Sequence, residues 1–179
     1  MLGPRRAYAR LEPPSPYYIA GYIAWFAATL AVAGAVSATA RVTVPLVVSL
    51  AASWMFVPVV HVLVGALIVR SAAAPRVPRS RALAMLLMGH APWTLWLLTA
   101  SMLTAIGGYA LYPVAVALAF VPLVLTARIV QAFCLDVLGV TWRGALWRTA
   151  AHQGITWIIA AIYAEKAVGL LARLPWGAQ

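Results

Sequence analysis

Apolar residues in this chain do not alternate with polar ones; they run on for about twenty residues at a time and stop at arginines. Such runs read as membrane-spanning helices, because a hydrocarbon layer about 30 Å thick needs roughly 20 residues rising 1.5 Å each. Five spans are predicted. The first covers residues 17–39, entered through Pro13-Pro14-Ser15-Pro16 and closed at Arg41. The second, 42–69, carries Pro45 in its first turn and Pro58 inside, so its length implies tilt or a kink at Pro58. The third, 82–106, contains Pro92, and Gly107-Gly108 then leaves room only for a hairpin into the fourth, 109–127. The fourth keeps its apolar pattern through Val130, Phe133, Val137 and Leu138, so this helix is expected to protrude from the membrane. Gly139 can end it, and Thr141 can cap a short interfacial amphipathic helix over 141–149 that bears Trp142, Arg143, Trp147 and Arg148. That piece leads into the fifth span, 150–171, the least apolar because Gln153, Glu165 and Lys166 interrupt it. The expected fold class is all-α, one polytopic membrane domain occupying the whole chain.

Composition sharpens this picture. Hydrophobic residues make up 65% of the chain and charged ones 9%, at a mean hydropathy of +0.94. A soluble domain carries about a quarter charged residues, so a soluble enzyme is excluded. The net charge is +10, a value that in a soluble protein would point to nucleic acid. Here the arginines flank apolar runs, and the charge reads as a topology signal and as affinity for anionic lipid head groups, with no nucleic-acid partner. Arg5, Arg6 and Arg10 precede the first span; Arg70, Arg76, Arg79 and Arg81 follow the second; Arg128, Arg143 and Arg148 follow the fourth. Placing these groups in the cytoplasm puts ten of thirteen positive charges inside, with the N-terminus in and the C-terminus out. Arg5, Arg6 and Arg10, an apolar run and Ala38-Thr39-Ala40 also resemble a cleavable signal peptide, but the run is longer than the 7–15 residues usual for one.

Ionisable groups within hydrocarbon are costly, so each marks a functional hypothesis. His61 and His90 fall at about the same depth in spans two and three, roughly 12 Å from the cytoplasmic ends. His152 lies one turn past Arg148, and Asp136 on the extension of span four, so the polar cluster expected in the inner leaflet is His61, His90, Asp136 and His152. One reading makes this a haem or metal site or a proton path. The other makes the histidines helix glue, each hydrogen-bonding a neighbouring hydroxyl or a carbonyl freed by Pro58 or Pro92, and this is the preferred one. Asp136 reads as an ion-pair partner of Arg128, Arg143 or Arg148. Cys134 excludes an internal disulfide and reads as small apolar filling or, beside a span, an acylation site. No phosphate loop, nucleophile elbow, zinc spacing or paired carboxylate occurs, so no enzymatic activity, cofactor or metal is expected.

The stretch Ser80-Arg81-Ala82-Leu83-Ala84-Met85-Leu86-Leu87-Met88-Gly89-His90-Ala91-Pro92 resembles the Yip family of five-span membrane proteins, where a polar basic loop leads into a span with a small residue and then a proline. Residues 141–150, Thr-Trp-Arg-Gly-Ala-Leu-Trp-Arg-Thr-Ala, are similar to the family's cytoplasmic helix before its last span. The resemblance implies a non-enzymatic protein that binds other membrane proteins or shapes membranes. The function expected is therefore a scaffold or accessory subunit of a bacterial cytoplasmic membrane. Its partner or lipid face would be Arg70, Arg76, Arg79, Arg81, Arg128, Arg143 and Arg148. The alternatives are a small-solute carrier or pore lined by the histidines, or a haem- or metal-binding subunit.

Overall fold

A computed structural model describes residue 15, residues 17–39 and residues 41–171, and among them every regular element is helical. Expectations attached to Arg5, Arg6, Arg10 and Ala40, and to the side chains of Ala38, Thr39, Glu165 and Lys166, lie outside what is described. The first span is α1 (Tyr18–Thr39). The second is two helices, α2 (Val44–Trp54) and α3 (Phe56–Arg70), and the third is α4 (Arg79–Met88) followed by α5 (Ala91–Gly107). A single 3-10 turn (Gly108–Leu111) leads to α6 (Tyr112–Leu118) and α7 (Phe120–Asp136), and α8 (Trp142–Leu171) ends the described chain. Four of these units are long and apolar enough to cross a membrane: Tyr18–Val36, Val44–Arg70, Arg79–Gly107 and Val116–Asp136.

Three interruptions share one cause. A proline has no N–H for the carbonyl four residues earlier, and its ring pushes against that carbonyl. The α2–α3 break falls at Met55, three residues before Pro58; the α4–α5 break at Gly89 and His90, just before Pro92; the α6–α7 break at Ala119, three residues before Pro122. Tight three-residue hydrogen bonds bridge each interruption, Met55 N to Ala52 O, His90 N to Leu87 O and Ala119 N to Val116 O. The kink expected near Pro58 is present, and the breaks ahead of Pro92 and Pro122 belong with it.

α7 runs to Asp136, past the expected end of the fourth span at residue 127 and inside the apolar unit that closes there, and Gly139 then turns the chain at φ +67. Thr141 caps α8, its hydroxyl accepting from Gly144 N at 3.3 Å. The expected division of the last segment into a helix over 141–149 and a span over 150–171 is not observed, because α8 is continuous from Trp142 to Leu171. Nothing in 149–151, Thr-Ala-Ala, removes a backbone donor or favours a turn.

Packing is densest at the end where the arginines gather. There Val64, Ile68, Met85, Leu86, Val130, Phe133, Cys134 and Leu138 form one core between α3, α4 and α7. Cys134 is fully buried in it as apolar filling. Gly65 lets α3 and α4 approach closely, since a Cβ there would stand 2.9 Å from a Leu83 methyl and 3.1 Å from a Leu86 methyl. A smaller core, Tyr22, Phe26, Leu30 and Leu87, lines the inner face of α1, whose Ala27, Ala31 and Ala35 are also buried at the spacing expected for close helix contact. Large apolar side chains point outward instead, among them Leu63, Leu95, Ile106 and Phe120. Surface of that kind over the length of a bundle is stable against lipid and not against water. The chain is a multi-pass α-helical membrane protein.

Candidate functional site

The breaks and the histidines belong to one arrangement. His90 is the residue at which α4 gives way to α5, His61 sits nine residues before the end of α3, and His152 ten residues into α8. At 1.5 Å per residue, the positions in α3 and α8 are each about 15 Å from the arginine-rich end, roughly the middle of a hydrocarbon layer. All three are buried, with 5%, 2% and 1% of their surface exposed. They form a file: the ring centroids of His61 and His90 are 4.6 Å apart, and those of His90 and His152 5.2 Å.

Each imidazole has a different hydrogen-bonding state. His61 Nδ1 and the Tyr22 hydroxyl share a hydrogen bond at 2.9 Å. His90 Nδ1 lies 3.3 Å from Leu87 O, one of the carbonyls at the helix break. A carbonyl only accepts, so His90 carries its proton on Nδ1 and turns a lone pair out through Nε2. That Nε2 is buried without a partner, as are both ring nitrogens of His152. The glue expected of these histidines is therefore present at His61 and at one nitrogen of His90, and missing at His152.

Further orphan atoms surround the file. Thr149 Oγ1, Gln153 Nε2 and Thr156 Oγ1 are buried without partners. With His152 they occupy positions i, i+3, i+4 and i+7 of α8, a single stripe about 10 Å long. Thr126 Oγ1, buried on α7 ten residues before its end, is a fourth such hydroxyl or amide. The opposite face of α8 shows Ile155, Ile158 and Ile162 outward. The helix thus turns its polar side inward and its apolar side out, the reverse of a surface helix in water. Beyond the file, Trp93 and Trp157 meet edge to face with centroids 4.9 Å apart, and Trp96 packs against Trp93.

Electrostatics limit what the file can hold. Two imidazolium rings about 5 Å apart repel by about 3 kcal/mol at an effective dielectric constant near 20. Charging two neighbouring rings of the file at once is therefore disfavoured. His61 and His90 lie ring on ring, 30° from parallel, which leaves no gap for a planar macrocycle ligated from both sides. Among the described residues no group of three or more His, Cys, Asp or Glu side chains has the geometry to hold a metal ion.

Asp136 is at the end of α7, about 15 Å along that helix from Thr126. Its backbone carbonyl accepts a hydrogen bond from Arg76 Nη1 at 3.0 Å. Arg148 donates to Ser71 Oγ at 2.9 Å and Ser71 O at 2.8 Å, and to Gly144 O in its own helix. Both arginines thus serve the C-terminal carbonyls of neighbouring helices, where a cation also meets the negative end of the helix dipole. Arg70, Arg79, Arg81 and Arg143 are exposed at that same end, and Arg128 is exposed on α7 about 12 Å along the helix from it. Tyr22, four residues into α1, where a tyrosine commonly anchors a helix at the membrane surface, is buried in the site. Its spacing with Phe26 and Leu30, one inward face of α1, is the signal that marks it. No known protein family, curated protein or solved structure matches this chain.

Proposed function

We propose that the protein is a carrier or pore for a small polar solute, and that the solute passes the file His61, His90, His152. The observation that supports this most is the row of buried, unpartnered polar atoms at mid-membrane height. Buried polar groups are nearly always satisfied, and each one left without a partner in an apolar surrounding costs about 1–3 kcal/mol. A bundle that held such groups for stability alone would be better served by leucine. The arrangement makes sense when a polar species enters the site and supplies the missing hydrogen bonds. Full-length protein reconstituted in liposomes should therefore equilibrate at least one solute from a panel of urea, glycerol, acetate, chloride and methylammonium several-fold faster than protein-free liposomes. The double variant His90→Ala/His152→Ala should remove the gain. A panel that never exceeds the control, or a gain indifferent to both histidines, would overturn the reading.

A second reading, non-enzymatic scaffolding of another membrane protein or binding of anionic lipid, is favoured by the four exposed arginines at one end. The resemblance to the Yip family belongs to it. It expects Arg79→Ala/Arg81→Ala to reduce co-purifying phosphatidylglycerol or a partner while thermal stability is unchanged; equal retention by the variant counts against it. Under either reading we place the protein in a bacterial cytoplasmic membrane, N-terminus inside and C-terminus outside, with the part of α8 beyond residue 150 as a fifth span. The outward isoleucines of α8 support that span.

A further inference from the structure

We infer that the site takes a small, electrically neutral molecule that both donates and accepts hydrogen bonds, such as an amide or a polyol; this rests on the conduction reading above. The first ground is the His90 lone pair. Because Nδ1–H is committed to Leu87 O, the buried Nε2 can only accept, and its occupant must bring an O–H or N–H. The second ground is α8, where the Gln153 amide nitrogen donates and the Thr149 and Thr156 hydroxyls can, so the same occupant must also offer a lone pair.

The third ground is charge. Among the described side chains a cation at this height meets no carboxylate: Asp136 closes α7 at the arginine-rich end, about 15 Å along that helix from Thr126. An anion would have to protonate an imidazole first, because the lone pair that His90 turns out through Nε2 offers it no hydrogen. Neither sign of charge is neutralised, whereas every orphan atom is suited to a neutral polar partner. The Trp93–Trp157 contact beyond the file adds apolar aromatic surface against which a small uncharged molecule can pack.

The test is stopped-flow light scattering on proteoliposomes of the full chain, with urea, glycerol and water as neutral probes and chloride, acetate and methylammonium as charged ones. We expect urea or glycerol to equilibrate at least fivefold faster than in protein-free liposomes, with the three ions at the control rate. Thr149→Val/Thr156→Val should return the neutral solute to within twofold of the control without lowering the thermal unfolding temperature, since it removes only unpaired hydroxyls. This variant keeps the test open even where histidine substitutions prevent folding. Histidine-dependent passage of an ion would leave conduction standing and overturn the neutral assignment. Acceleration of water alone would overturn it too, reducing the site to ordered solvent. No acceleration of any probe removes the conduction reading itself, and this inference with it.

Discussion

Three buried imidazoles stand in a file, each in ring contact with the next, and two of them are fixed by hydrogen bonds: Tyr22 to His61 and His90 to Leu87 O. The Tyr22 hydroxyl fixes the orientation of His61, and through ring contact that of His90. Removing it leaves the Phe ring in the same apolar contact with Phe26 and deprives a buried nitrogen of its partner. Tyr22→Phe is therefore expected to destabilise the protein by about 1 kcal/mol, the usual net worth of such a bond. Denaturant titration in detergent micelles measures this, and a stability equal to wild type would show that His61 finds another partner. Sequence reading brought His61 and His90 to one depth and His152 to the same leaflet, because depth follows from counting residues from the arginines. Tyr22 was not legible as their companion, because a tyrosine near a helix end reads equally well as an interfacial anchor.

At the scale of elements, proline placement is what presents the site. Pro92 breaks the third span at His90, and the break leaves Leu87 O free to accept from both the backbone N–H and the ring of His90. Pro92→Ala allows α4 to run into α5 without interruption, which turns the residues beyond the break and withdraws His90 from the file. Its expected result is unchanged or higher helical content by circular dichroism together with loss of at least half of any solute flux. Flux equal to wild type would mean that the break does not position His90. The run of α8 from Trp142 carries a similar lesson. Its segment 141–149 looks amphipathic in isolation, and the expectation of a separate interfacial helix came from reading the arginines as surface marks. In the folded protein Arg148 is drawn to Ser71 on a neighbouring helix, so the segment is the first two turns of one long helix.

For the whole molecule, the arginine-rich end is closed by contacts that sequence cannot pair: Arg76 with the end of α7 and Arg148 with the end of α3, each about sixty residues or more away along the chain. Those contacts give two of the seven basic residues structural work and leave five on the surface. The charge bias makes the orientation testable. Reporter fusions after residues 40, 75, 108, 140 and 179 should show alternating sides, with the fusions at 75 and 140 cytoplasmic. A fusion at 179 on the same side as 140 would leave four crossings and return α8 to the inner surface. What the sequence by itself determined is the solvent and four apolar crossings, since long apolar runs have no other stable home and the arginines mark where they end. The proline breaks were readable in kind, because a missing N–H acts locally. Only tertiary structure decided that the orphaned stripe of α8, the broken helix at His90 and the tyrosine of α1 face one another, because which side of a helix turns inward depends on what its neighbours bring to meet it.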